Sequence, residues 1–258
     1  AGEEKQMKTK TKYTLYAGKV IIYKEEFEWN GHMCHKFVDE QGKKIDGVTS
    51  ITGLKDKSEA ISGWAVKMMA LMLKMFLDQG QTITADHIER AKKEYRNLKA
   101  EAAEIGTSIH DYIEQWIKEK KLPEITDPRV NNGVQAFFKW VKENNYQFNN
   151  SETVIYSKKY NYAGVMDVDG VDMDDKALVI GDWKSSKGLY SEMRYQLAAY
   201  WQAREEELGI EYARGFIAKF GKEDGNFEAL EISRSEYKKD FKAFLGLQAV
   251  KNRESELK

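Results

Sequence analysis

Leu178-Val179-Ile180-Gly181-Asp182-Trp183-Lys184 is an apolar, β-prone run that carries an acid and a lysine two residues apart. Side chains of a strand alternate between its two faces. Leu178, Ile180, Asp182 and Lys184 therefore share one face, and Val179, Gly181 and Trp183 the other. A carboxylate ending an apolar strand is costly to bury unless it is paired or bound to a metal. On its own, an Asp-x-Lys strand end reads first as a structural ion pair. A second run, Tyr162-Ala163-Gly164-Val165-Met166-Asp167-Val168, predicts a neighbouring strand that brings Asp167 beside that pair. Two carboxylates and one ammonium at adjacent strand ends suit a hard divalent cation and a phosphate.

Outward from these strands, the last third of the chain alternates. Strands are predicted near Ser151–Ser157, Tyr162–Val168, Ala177–Lys184, Tyr212–Phe220 and Phe227–Ile232, with a helix from Ser191 to Glu207 and a terminal helix from Ser233 onward. Asp169, Asp172, Asp174 and Asp175 surround Gly170 without calcium-loop spacing and read as the turn between the two site strands. The middle is helical. Ile61, Trp64, Ala65, Met68, Met69, Leu71 and Met72 recur at helical spacing, Thr84 is a cap candidate for a following helix, and Glu89–Lys99 is charged and helix-prone. Ile105, Ile109, Tyr112, Ile113, Trp116 and Ile117 make the clearest amphipathic stripe, and Val134, Phe137, Phe138 and Val141 another. Pro123 and Pro128, the only prolines, bracket a loop between these helices. The first 50 residues or so read as β, with Tyr13–Tyr16, Val20–Tyr23 and Glu26–Trp29 strand-like, and Asn30-Gly31 a two-residue hairpin signal before His32–Val38. The segmentation is a single domain over 1–258: a β-rich N-terminal part (1–56), a mainly helical part (57–146), an α/β core (147–232) and a C-terminal helix (233–258).

The chain has 258 residues, 41% of them hydrophobic and 32% charged, enough for a sizeable core and a well-solvated surface. With 41 basic and 42 acidic residues there is no global basic field, so nucleic-acid binding would rest on local lysines. The single cysteine, Cys34, excludes an internal disulfide and a cysteine-ligated zinc or iron–sulfur centre within one chain. His32 and His35 lie near it but split between strand faces, with no fourth ligand for zinc. No segment is long and apolar enough to span a membrane. The first residues, Ala1-Gly2-Glu3-Glu4-Lys5-Gln6, are polar and unlike a signal peptide. A reducing, cytoplasmic location is the expectation.

Further groups sit at telling intervals. Gly106, His110 and Glu114 are four apart and line one edge of the predicted amphipathic helix. A glycine one turn before a histidine leaves room for a strand end, a metal or a phosphate. Alone, His110 reads as a satisfied buried histidine and Glu114 as a solvated helix residue. Gln196 and Tyr200, also four apart, present polar tips from the helix after Lys184. They are placed to bond a phosphate or a base, to orient Lys184, or to seat Tyr200 in the core.

Together these residues resemble the PD-(D/E)XK nuclease superfamily, in its RecB-like exonuclease branch. The matching segments are Gly106-Thr107-Ser108-Ile109-His110 with Glu114, Gly164-Val165-Met166-Asp167, Gly181-Asp182-Trp183-Lys184-Ser185-Ser186, and Gln196-Leu197-Ala198-Ala199-Tyr200, in the family's order. Val48-Thr49-Ser50-Ile51-Thr52-Gly53 followed by Trp64 is similar to the N-terminal region of phage-type and mitochondrial genome-maintenance exonucleases. The resemblance spans roughly residues 48 to 200. No proline precedes Asp167, a departure the family tolerates, and the lone cysteine sets the chain apart from the iron–sulfur branch.

The resemblance implies an α/β, restriction-endonuclease-like fold: a central mixed sheet flanked by helices, here with N-terminal β-hairpins and a helical elaboration. It implies that Asp167, Asp182, His110 and the Trp183 carbonyl bind Mg²⁺ or Mn²⁺, with no iron–sulfur cluster. Lys184 would position the attacking water and stabilise charge, and Gln196, Tyr200, Ser185 and Glu114 would support the lysine or the DNA strand. Oxygen ligands suit Mg²⁺, and the imidazole shifts preference toward Mn²⁺. The implied activity is a metal-dependent DNA exonuclease acting on single strands or duplex ends in replication, recombination or repair, with partner proteins of those processes and a phage connection. A non-catalytic DNA-binding module of the same fold would normally have lost the lysine or a ligand. A structure-specific endonuclease is the third reading.

Overall fold

In the computed structural model, which describes residues 6–29, 32–55, 58–121 and 123–257, the two site strands lie at the centre of a nine-stranded mixed sheet. The polar leading residues 1–5, the Asn30-Gly31 turn and the Asp56-Lys57 step fall outside the described residues. The N-terminal part is a meander of β1 (Gln6–Leu15), β2 (Val20–Trp29) and β3 (His32–Asp39), followed by the short β4 (Lys44–Gly47) and α1 (Val48–Thr52). The runs Val20–Tyr23 and Glu26–Trp29 form one continuous strand, because Lys24 and Glu25 pair across to Phe37 and Lys36 without interruption.

Three long helices follow: α2 (Ser58–Asp78), α3 (Ala85–Glu119) and α4 (Pro128–Glu143). The charged segment before Lys99 and the isoleucine stripe belong to the single 35-residue α3. Thr84 caps it by accepting the His87 N–H, and Lys120 ends it in the left-handed conformation with φ 56°. Pro128 occupies the first turn of α4 behind an Asp127 cap, where a missing N–H costs nothing.

The core alternates as expected: β5 (Tyr146–Ser157), β6 (Tyr162–Asp172), β7 (Leu178–Lys184), α5 (Ser191–Leu208), β8 (Arg214–Phe220), β9 (Phe227–Ser233) and α6 (Arg234–Glu256). Helices flank the sheet on both faces. Ile180, Met166 and Ile217 pack with α1, α5 and α6 on one side, and Val168, Val179 and Trp183 pack with α3 and α4 on the other. A smaller cluster of Leu15, Ile22, Phe37 and Ile45 seats the N-terminal meander on Val154 and Ala163. The fold is thus the α/β arrangement of a large mixed sheet between helices that the sequence predicts.

One expectation needs correcting. Asp169 and Asp172 are not in the turn between the site strands but within β6; only Asp174 and Asp175 are outside it. Asp169 is buried and accepts hydrogen bonds from Asn150 Nδ2 (2.7 Å), Tyr212 Oη (2.8 Å) and Arg204 Nε (3.3 Å). Asp172 is ion-paired to Arg214. The compensating cations come from α5 and β8, so nothing near the aspartates in sequence signals that they can be buried.

The topology of β6 positions the site. Tyr162 faces Ser157 of β5 on one edge and Asp46 of β4 on the other; Val168 faces Ser151 of β5 and Gly181 of β7. β4 and β7 therefore share one edge of β6, at its beginning and its end. Between them the edge opens at residues 164–167, and Asp167 sits in that fork.

Candidate metal-dependent active site

Register brings the carboxylates together. Val168 opposes Gly181, so Asp167 and Asp182 are the next pair along, where β7 begins to diverge. The Trp183 N–H, released from strand pairing there, donates to Asp167 Oδ2 at 2.7 Å. On the other edge the β5–β6 ladder pairs Ser151 with Val168 and Thr153 with Met166, leaving Glu152 and Asp167 as the intervening residues. The pleat breaks at this point: Met166 and Val168, two apart, pack into opposite cores. Glu152 has φ 48°, a conformation a side chain other than glycine adopts at a cost. The simple alternation used on the sequence holds for β7 and fails here.

Asp182 is fully buried and ion-paired through Oδ2 to Lys184 Nζ, the same-face neighbour the strand period demands. Neither Asp182 oxygen has a well-directed hydrogen bond. A buried carboxylate in that condition is costly. Burial, and then the charge of Asp167, push its pKa up to about 7 despite the lysine. Burial likewise raises Asp167. Burial works against the charge on Lys184, but Asp182 and Asp167 outweigh it and hold its pKa above the ordinary lysine value.

α3 forms the facing wall. Gly106 lets the helix approach the end of β7: a Cβ there would lie 2.5 Å from Ser185 Oγ. One turn later His110 places Nδ1 3.9 Å from Asp167 Oδ2. Burial and the nearby Lys184 charge push its pKa down to about 4, so the imidazole is neutral at physiological pH, the form that binds metals. His110, Glu152 and Asp167 each offer a donor atom, and these atoms lie within 4.8 Å of one another. Asp182 stands behind this group, against Lys184. Glu152 is raised to about 8, by burial first and then by Asp167, Glu114 and Asp111. The main chain of Trp183 also faces the His110 ring.

The supporting residues fall around this centre. Tyr200 packs over Gly164, where a Cβ would meet its ring at 2.7 Å, and its hydroxyl accepts from Gln196 Nε2 at 2.9 Å. Burial, then the charges of Asp182 and Asp167, raise Tyr200 well above the usual tyrosine value, so it faces the carboxylates as a protonated hydroxyl. Gln196 thus touches Tyr200, and Lys184 is held by Asp182. Glu114 is ion-paired to Lys118 and lines the cleft with Asp111. That cleft, about 420 Å³, is bounded on its far side by His35 and Phe37 of β3.

The arrangement fits a divalent cation by its donor chemistry. Three carboxylates, Asp167, Asp182 and Glu152, crowd one ammonium and a neutral imidazole, and the buried Asp182 oxygens lack directed partners. A hard cation among them would reverse the repulsion that raises their pKa values. Glu152 is the functional candidate that sequence motifs miss. A signal existed: with Ser157 opposite Tyr162 across a tight hairpin, counting back five residues places Glu152 opposite Asp167.

No protein-family model matches the chain, and no curated protein does. Among solved structures, an alkaline exonuclease (LHK-Exo) from Laribacter hongkongensis is similar at 12% identity and a TM-score of 0.30, covering 61% of this chain and 93% of that one. The complex of LHK-Exo with dAMP overlaps at 13% identity, with the same TM-score of 0.30 and the same coverage, 61% and 93%. A TM-score that low bears on neither the fold nor the activity of this chain.

Proposed function

We propose that this protein is a metal-dependent deoxyribonuclease that hydrolyses phosphodiester bonds from DNA ends. The observation that carries the reading is the convergence of His110, Asp167 and Glu152, whose donor atoms lie within 4.8 Å of one another, with the buried Asp182–Lys184 pair behind Asp167. His110, Asp167 and Glu152 would hold Mg²⁺ or Mn²⁺, with Asp182 and the Trp183 main chain beside them. When bound, the cation supplies positive charge to the phosphoryl oxygens and lowers the pKa of a water.

The residues themselves do the rest. Asp182 fixes Lys184 in place, so its ammonium is held charged and already desolvated beside Asp167. Charge preorganised in that way stabilises the negative charge that develops during phosphoryl transfer. Neutral His110 offers a lone pair without adding repulsion. The Gln196–Tyr200 pair presents a protonated hydroxyl to the carboxylates and closes the floor over Gly164. Retention of the lysine and all the acidic groups favours an enzyme over a binding module of the same shape.

The test is digestion of end-labelled linear and circular single-stranded DNA with Mg²⁺, with Mn²⁺ and in chelator. Linear DNA is degraded with either metal, the circle survives, and chelator stops the reaction. Lys184→Ala and Asp182→Asn each lower the rate by at least a hundredfold, in line with loss of a preorganised group. Full activity in both variants would refute the site. Cutting of the circle at the linear rate would replace end-dependent with internal cleavage.

A further inference from the structure

A second cleft, about 530 Å³, opens on the other side of His110, between the α2–α3 pair and the turn that follows β7. It shares His110 and Ser185 with the first cleft, and Lys184 reaches into it. Trp64 and Met68 of α2 line it together with Lys187, Lys222 and Arg129, and with the carboxylates Glu101 and Glu223. Neither lysine is ion-paired among the described residues. Lys222 is half-buried and donates to the Ala102 carbonyl at 2.9 Å, which anchors it against α3. Burial first, and then the charges of Arg129 and Lys187, leave its pKa below the ordinary value although Glu223 and Glu101 pull the other way. Cations still outnumber carboxylates around the cleft, with Lys184, Lys187, Lys222 and Arg129 against Glu101 and Glu223, a balance that favours an anion.

The first cleft is the more acidic, with Asp111, Glu114 and Glu152 on its rim and no lysine or arginine in its lining. A polyanion crossing the site is repelled on that side and attracted on this one. Apolar and aromatic side chains in one cleft with lysines match a single nucleic-acid strand, whose bases stack while its phosphates track cations.

We infer that the strand flanking the scissile phosphate runs single-stranded through this second cleft, its bases against Trp64 and Met68 and its phosphates on Lys187 and Lys222. The inference rests on the nuclease reading for the position of the scissile phosphate; the binding surface itself does not.

The experiment measures binding of a fluorescein-labelled oligothymidylate to the full chain by anisotropy in chelator, over a range of salt concentrations. Lys187→Gln with Lys222→Gln lowers affinity about tenfold or more and flattens the slope of log affinity against log salt by about 1 to 1.5, since each single-strand phosphate contact contributes about 0.7. Trp64→Ala weakens binding about fivefold to a hundredfold, and Trp64→Phe recovers most of it. Lys187 is exposed, so Lys187→Gln alone leaves folding intact and still flattens the slope. If the wild-type protein degrades DNA but the lysine variants bind with unchanged affinity and slope, the path is wrong and the nuclease reading stands. If the variants lose affinity while the wild type cleaves nothing with Mg²⁺ or Mn²⁺, the cleft stands and the nuclease reading falls. A duplex that binds as tightly, with the same lysine dependence, overturns the single-strand assignment.

Discussion

Replacing Asp182 by asparagine should stabilise the metal-free protein while it abolishes activity. Asp182 is fully buried, and its pKa is raised from 3.8 to about 7. A carboxyl whose folded pKa is raised costs stability at pH values above that pKa. The cost falls as pH drops through about 7 and is gone below the unfolded value. A shift of about three units corresponds to roughly 4 kcal/mol at pH 8. The attraction of Lys184 is already contained in that pKa; part of the gain is lost instead because a buried amide is imperfectly paired in a site shaped for a carboxyl. Asp167 and Glu152 still face the lysine, however, and three carboxylates around one ammonium is an excess of negative charge. The net expectation is a gain of about 1 to 3 kcal/mol, or a rise in Tm of about 3–10 °C for a chain of this size. The assay is thermal unfolding in chelator at pH 8 and pH 5, repeated with Mn²⁺. The advantage of Asp182→Asn is large at pH 8, less than half as large at pH 5, and vanishes when Mn²⁺ stabilises the wild type alone. A variant that melts below wild type by the same margin at both pH values would show that the Lys184 pair outweighs burial, and the electrostatic account of the site would fail.

Two further outcomes test neighbouring parts of the site. Glu152→Gln and Glu152→Gly both raise the metal-free Tm above pH 8, where the carboxyl would otherwise ionise, and both reduce the Mn²⁺-induced rise; glycine exceeds glutamine by about 1 kcal/mol because it accepts the φ of 48° without strain, and equal melting points for the two would refute that strain. Gly181→Ala places a Cβ 2.1 Å from the Phe216 ring and costs about 1–3 kcal/mol by overpacking, with Phe216→Leu restoring part of it in a double-mutant cycle; additive effects would refute the contact.

The distance between Asp182 and Lys184 is a local property. Strand period 2 and an apolar flank place them on one face in any fold that keeps the run extended, and the structure pairs them. The same holds for Gly106 and His110, which a helical repeat of 3.6 puts one turn apart on one edge, and for Gln196 and Tyr200, which meet across one turn of α5. The helix breaks at Thr84, Asp127 and Ser233 are equally local, because a cap answers the unpaired N–H groups of the turn beside it.

What the sequence could not decide is set by pairings between distant segments. Burial of Asp169 and Asp172 depends on Arg204, Tyr212 and Arg214, which reach them only after α5 has crossed the sheet. Glu152 joins His110 and Asp167 because β5 folds back on β6 in one register and the pleat breaks where β4 and β7 part on the other edge. Periodicity along the chain reports which neighbours share a face; it carries no term for the edge at which a strand changes partners. That fork in β6 exists only in three dimensions, and it decides which acids gather around His110.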